Sequence, residues 1–313
     1  MLRISRSFLC ALACAIAASA CHSSNEAAPS PWVTKSPMPT AREDLAAAVV
    51  RDTIYAIGGI GPATDGCTVE AYDPASDTWR ARAPMPTCRH SLAAAVINGI
   101  IYAVGGADST GRSVATVEAY DPATNSWTSK KPMSAARAFF GAGSLYDTLY
   151  VAGGDDYPAT VASAEEYDPA TDRWTACASL HDALSGLVLA VANHTVYSIG
   201  GLDSAVNWLG VVEAYNAVAN AWTYRAEMPT TRTLFSSAVA NGKIYAIGGL
   251  DSAWATLKTV EVYDPVANSW STGPSLRTSR GLHASVTVNG TIYVIGGESE
   301  LFHPLALNEA LTP

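Results

Sequence analysis

Short apolar runs separated by tight polar turns recur along almost the whole chain. Leu45–Val50 and Leu92–Ile97 are runs of small and branched apolar residues, each meeting a sharp turn. Asn98-Gly99, Asn241-Gly242 and Asn289-Gly290 mark that turn most clearly; such dipeptides favour the type I′ hairpin, whose central residues both take φ > 0. The next run, Ile100–Val104, is apolar at every position, as a strand covered on both faces requires. It ends at Gly-Gly, where missing Cβ atoms allow close backbone approach. A loop of variable sequence follows, then Val-Glu-Ala-Tyr, then Asp-Pro with a few polar residues, then a strand opening at Trp. Asp bonds the backbone ahead of it and Pro presets φ, so Asp-Pro predicts a turn. The pattern predicts four strands per unit.

The units repeat with little drift. Gly-Gly pairs begin at Gly58, Gly105, Gly153, Gly200, Gly248 and Gly296, at intervals of 47, 48, 47, 48 and 48 residues. Trp32, Trp79, Trp127, Trp174, Trp222 and Trp270 keep the same intervals, and a Glu-x-Tyr such as Glu70/Tyr72 or Glu118/Tyr120 lies between successive Trp residues. Three markers in step define six copies of one supersecondary unit. The first copy opens at Trp32, an outermost strand, and the end, Asn308–Pro313, aligns with Val117–Pro122. The last unit therefore has three strands, and the Trp32 segment is expected to supply the fourth, removing edges that would template aggregation.

This pattern resembles the kelch repeat over residues 32–313. The resemblance implies an all-β fold, a six-bladed β-propeller of four-stranded antiparallel blades with the last blade closed by the N-terminal strand. The loops after Gly-Gly and the loops between blades then share one face, and the Asn-Gly and Asp-Pro turns share the other. In kelch proteins the first face, around the axial opening, commonly holds the binding site. A fold alone does not give a function.

The N-terminus follows a different pattern. Arg3 and Arg6 precede an apolar stretch from Phe8 to Ala20, and Ala18-Ser19-Ala20 leads into Cys21. A charged start, a short apolar segment and small residues describe an export signal over residues 1–20. Thirteen residues span about 20 Å as a helix, short of a bilayer core of about 30 Å. Ala-Ser-Ala-Cys resembles the bacterial lipobox, with Ala18 where Leu is usual. Cys21 is therefore the expected lipidation site, with plain secretory cleavage as the alternative. His22 follows, without the Asp that signals inner-membrane retention in enteric bacteria. Residues 21–31 read as a flexible tether. The expected location is the bacterial cell envelope, outer membrane or periplasm, with the membrane met only through the lipid, or the secreted fraction.

Composition narrows the rest. With 49% hydrophobic and 15% charged residues and a mean hydropathy of +0.12, the chain is neither disordered nor a helical bundle. The net charge of −9 deepens to −11 once Arg3 and Arg6 are removed, which excludes a basic nucleic-acid footprint. Arg42, Arg89, Arg137, Arg232 and Arg280 each lie 16 residues before a Gly-Gly, with Leu184 in that place in blade four. Their match to the repeated Glu favours structural pairing over anion binding. Departures from the repeat say more. Tyr157, Trp208, Trp254 and Phe302 fall in the loops after Gly-Gly of four consecutive blades, where aromatics anchor sugars and peptides or cover the blade tops. Glu43, Asp44, His90, Ser91 and Phe139 follow the Arg positions and approach the axis.

No catalytic constellation is visible: there is no GxSxG, HExxH or P-loop. Copper-radical oxidases of this fold need two Tyr, two His and a crosslinked Cys, and the histidines here are scattered. Neither metal nor cofactor is expected. Asp155-Asp156 offer oxygens to Ca²⁺, yet Asp108, Asp203 and Asp251 recur near the same offset, which favours turn capping. Export permits a Cys67–Cys88 disulfide, leaving Cys177 unpaired. The sequence reads as a monomeric binding or scaffolding module for a protein or glycan on the loop face. The rival reading is a carbohydrate-directed enzyme, of the sialic-acid mutarotase or galactose oxidase kind, using axial Arg and Glu.

Overall fold

The computed structural model describes residues 30–156, 159–299 and 303–313. The expected export signal, Cys21 and most of the tether lie outside the described residues, as do Tyr157 and Phe302. The described residues form six four-stranded antiparallel sheets, the first five running outward from the axis in chain order, and one hairpin of two-residue strands, Asp155–Asp156 with Ala159–Thr160. In blade one, Ala46–Val50 lies innermost, followed by Thr53–Ile57, Val69–Asp73 and Thr78–Ala81. The innermost strands of successive blades touch in sequence and close a ring, Ala46–Val50 meeting Ala284–Val288 of blade six. Blade six is completed by Val33–Lys35, which pairs antiparallel with Asn308–Leu311 in the register Val33↔Ala310 to Lys35↔Asn308. The turn expectation also holds: Asn98 and Gly99 sit at φ 52° and 77°.

The repeated residues have distinct mechanical roles. Between blades one and two, Ile57, Val69, Ala71 and Met85 pack on Leu92, Ile101, Ala103 and Tyr120; a fully buried side chain of this kind contributes about 1.5–3 kcal/mol. In blades one to five the outer Trp tilts over the repeat Tyr, as Trp79 does over Tyr72 at 4.9 Å between centroids. Its indole nitrogen donates to a carbonyl of the preceding blade, Trp79 to Ser36 and Trp127 to Ala83, both at 2.9 Å. The Asp or Asn five residues after that Tyr ties the same seam. Asn125 Oδ1 accepts from the Tyr120 hydroxyl (2.6 Å) and from the Ala83 amide of blade one (2.9 Å).

The arginines are internal struts. Arg42, Arg89, Arg137, Arg232 and Arg280 are fully buried, and each meets a glutamate of its own blade at 2.6–2.9 Å. Arg42 Nη1 also donates to the carbonyls of Gly58 and Thr68, bridging the second and third strands where they splay apart. Blade four lacks this strut. There Leu184 is buried, Glu213 is met by His181, and the two strands keep pairing outward to Leu202↔Trp208. The result is the longest hairpin of the ring, Thr195–Leu202 with Trp208–Asn216.

Candidate functional site

The residue two places after each Arg position arrives at the axis with a left-handed backbone. Asp44, Ser91, Phe139, Gly186, Leu234 and Leu282 have φ between 51° and 66°. Their backbones form a closed hoop: the amide of each donates to the carbonyl of its equivalent in the preceding blade, at 2.7–3.1 Å, with Asp44 donating to Leu282 to complete the circle. For residues other than Gly this conformation costs roughly 1–2 kcal/mol each, which the bonds and packing of the ring offset. The hoop narrows the axial channel on the loop face to a cavity of ≈ 90 Å³ lined by Asp44, Ser91, Phe139 and Leu234, among others. Beneath it the channel widens to ≈ 400 Å³ between small side chains such as Ala48, Ala95, Gly143 and Ala190.

Carboxyls gather on one side of this mouth. Glu43 bridges by backbone to Ile60, and Glu298 occupies the place of Ile60 in blade six, bridged to Gly281, which stands where blade one has Glu43. The carboxyls of Glu43 and Glu298 lie within hydrogen-bonding reach, and Glu43 Oε2 is buried without a partner. Burial first, then the charge of Glu298, pushes Glu43 up to about 8. Asp44 rises to about 7, again chiefly through burial, although Ser91 donates to it. His90 Nδ1 sits 2.8 Å from Ser91 Oγ and 3.8 Å from Asp44 Oδ2; burial lowers its pKa. Thus Glu43, Asp44 and His90 form one cluster, and Phe139 stands in the same hoop two blades on. Sequence reasoning missed Glu298. The position two after the first Gly holds Ile60, Ala107, Asp155, Leu202, Leu250 and Glu298, and two acids among four apolar equivalents were the available signal.

The aromatic candidates behave differently. Trp208 opens a strand rather than lying in a loop, and it meets Trp254 edge to face at 5.1 Å, both half-buried. The two rings form a single aromatic ridge on the rims of blades four and five, with the indole nitrogen of Trp208 buried and unpartnered. Asp108, Asp203 and Asp251 cap their own turns, each accepting backbone amides two and four residues ahead. Asp155 accepts instead from the hydroxyls of Thr160 and Ser185. His283 stands where other blades place Leu or Phe. It is buried with neither ring nitrogen hydrogen-bonded, and burial drives it down to about 3.

Cys67 and Cys88 form a disulfide and Cys177 is free. Asp65 lies within 4.8 Å of both bonded sulfurs, but two sulfurs bonded to each other cannot act as thiolate ligands. Asp65 is then left with no metal-ligating partner in that group.

Comparison with known proteins agrees with this architecture. The family profile described as Kelch motif matches residues 41–86, 88–134, 136–181, 183–229 and 231–277. Among solved structures, one described as "Structure of YjhT" superposes with a TM-score of 0.75 at 19% identity, covering 86% of this chain and 94% of that one. At that identity the likeness concerns the fold alone. Comparison with curated proteins gives no match.

Proposed function

Because the chain belongs to the Kelch motif family, we propose that it is an exported, lipid-anchored propeller that binds a glycan at the axial mouth of its loop face. The observation that carries this reading is that Asp44, Ser91 and Phe139 line that mouth, with His90 3.8 Å from Asp44 and Glu43 next to it, and with the Trp208–Trp254 ridge on the same face. Carboxyls whose pKa values lie near neutrality both donate and accept hydrogen bonds, as sugar hydroxyls require. Aromatic rims supply flat apolar area for pyranose faces. The ligand is bound by a monomer whose ring stays rigid. A screen of the full chain against an immobilised glycan panel tests this. Asp44→Asn with Phe139→Ala should lower affinity for any hit at least tenfold without altering the unfolding curve. Recognition of a protein alone, with no glycan retained, would replace the glycan by a peptide ligand.

One observation favours an enzymatic second reading. The Glu43–Glu298 carboxyl pair holds a proton near neutral pH, which suits general acid–base work on a sugar. The arginines that such a sugar-acid enzyme would need at the axis are instead buried against glutamates. NMR observation of anomer exchange in candidate sugars, with and without protein, separates the two readings.

A further inference from the structure

The face opposite the proposed site carries an asymmetry that the repeat does not require. Tyr146 is 75% exposed, Val218 fully and Val266 88% exposed. All three lie in turns of one face, between the first two strands of blade three and between the last two strands of blades four and five. Each departs from the repeat's own turn chemistry. Tyr146 holds φ 55° where Asn is usual, and it stacks on His194, itself at φ 60° where Gly is usual. In blades one to three the Asp-Pro-Ala turn continues with Ser76, Thr124 or Thr171, whose hydroxyl bonds the turn Asp. Blades four and five have Val218-Ala219 and Val266-Ala267 instead. Nothing in local turn propensity rewards these exchanges.

Charge divides the same face in two. Turns of blades one to three hold Asp52, Asp73, Asp77, Asp121, Asp147, Asp168 and Asp172 against Arg51. Blade four has Asn216 and Asn220 in the equivalent places, and the Asp264 of blade five is paired with Lys243 at 3.3 Å. The neutral sector continues into blade six, and there the chain enters the ring. Val33–Lys35 runs from this turn face toward the loop face, because it pairs antiparallel with Asn308–Leu311. The segment that joins the ring to Cys21 therefore leaves from the neutral, apolar-tipped side.

We infer that the turn face of blades four to six, with Tyr146 at its margin, rests on the surface of the bilayer, so that the loop face points away from the membrane. The inference rests on the lipid-anchored reading above. The apolar tips are spread over separate blades at one level, which suits a flat, deformable occupant better than a compact protein knob. Tyr favours the interfacial zone, and the acidic sector of blades one to three is repelled by anionic headgroups, which tilts the ring onto its neutral half.

The test uses full-chain protein extracted from membranes, in a Cys177→Ala background, reconstituted into phosphatidylcholine vesicles with and without phosphatidylglycerol. A polarity-sensitive dye is placed at Val218→Cys or Val266→Cys, and at Ser109→Cys on the loop face as control, and vesicles carry brominated lipid as a depth-dependent quencher. Flotation reports the anchor and quenching reports the face. At least twofold stronger quenching at 218 and 266 than at 109, lost in a Tyr146→Ser variant combined with serine at the unlabelled valine, is expected. Flotation with equal quenching at all positions overturns the inference and leaves the anchor standing. Failure to float overturns both. Dye burial at 218 that depends on protein concentration and not on lipid assigns the face to a second copy of the chain and overturns the inference.

Discussion

Burial keeps both His283 and Glu43 neutral at pH 7, and because one is a base and the other an acid the two give opposite pH signatures. His283 fills a core position held elsewhere by Leu45, Leu92, Phe140, Leu187 and Phe235, with two nitrogens that no group satisfies. Its value falls from 6.5 to about 3, so the neutral ring's stability is intact above 6.5 and drains away as pH falls toward 3. His283→Leu removes both orphaned nitrogens and should stabilise the protein by about 1–3 kcal/mol. The gain should widen between pH 6.5 and 4, as urea unfolding at several pH values will show. Glu43 behaves in reverse. Its value rises from 4.5 to about 8, so the stability it confers is full below 4.5 and is lost as pH climbs through 8. Glu43→Gln cannot ionise. Relative to that variant, wild type should lose melting temperature steadily from pH 5 to 8.5, and parallel curves would place the carboxyl in ordinary solvent.

At the scale of the strand and its turn, the Gly-Gly pair shows how one blade is keyed to the next. A Cβ on Gly105 would lie 2.7 Å from the Arg137 carbonyl of blade three and 2.7 Å from the Phe140 ring, whereas one on Gly99 meets nothing within 4 Å. Both glycines have positive φ. Gly99→Ala should cost about 1 kcal/mol for the backbone alone, while Gly105→Ala adds overpacking of about 1–3 kcal/mol. Chemical denaturation of the pair separates backbone strain from steric conflict. These elements were legible in the sequence because the period and Gly-Gly are local signals repeated six times, while Asn-Gly marks three of the turns and Asp-Pro four. The hoop was not legible. Asp44, Ser91, Phe139, Gly186, Leu234 and Leu282 share no chemistry, and what unites them is a backbone conformation fixed by bonds to the neighbouring blade. The site was half legible for the same reason. Glu43, Asp44, His90 and Phe139 sit near a repeated Arg, but the partner of Glu43 comes from the opposite end of the chain. The tryptophans were visible as surplus to the repeat, yet their packing on each other depends on a hairpin that lengthens where Arg is replaced by Leu184.

For the molecule as a whole, stability turns on how the circle is shut. Five blades are continuous in sequence, so their strands are held near one another even when unfolded. Blade six alone joins strands from both ends of the chain, and its three-residue latch, Val33–Lys35, offers few backbone bonds of its own. Trp32 does most of the holding. It is fully buried, packs with Leu276, Ile292 and Leu311, and donates from its indole nitrogen to the Pro274 carbonyl at 2.8 Å. Arg277 grips its carbonyl at 2.9 Å. Trp32→Ala should cost about 3–5 kcal/mol, more than the same change at the half-buried Trp79. Its damage should also be localised. Once the latch frays, Asn308–Leu311 becomes an open sheet edge, and its amides should exchange with solvent well before those of Gly141–Leu145 in blade three on the far side of the ring. Native-state hydrogen exchange on the variant reads this directly. Loss of less than about 1 kcal/mol, with Asn308–Leu311 still protected, would mean that blade packing holds the circle without the latch.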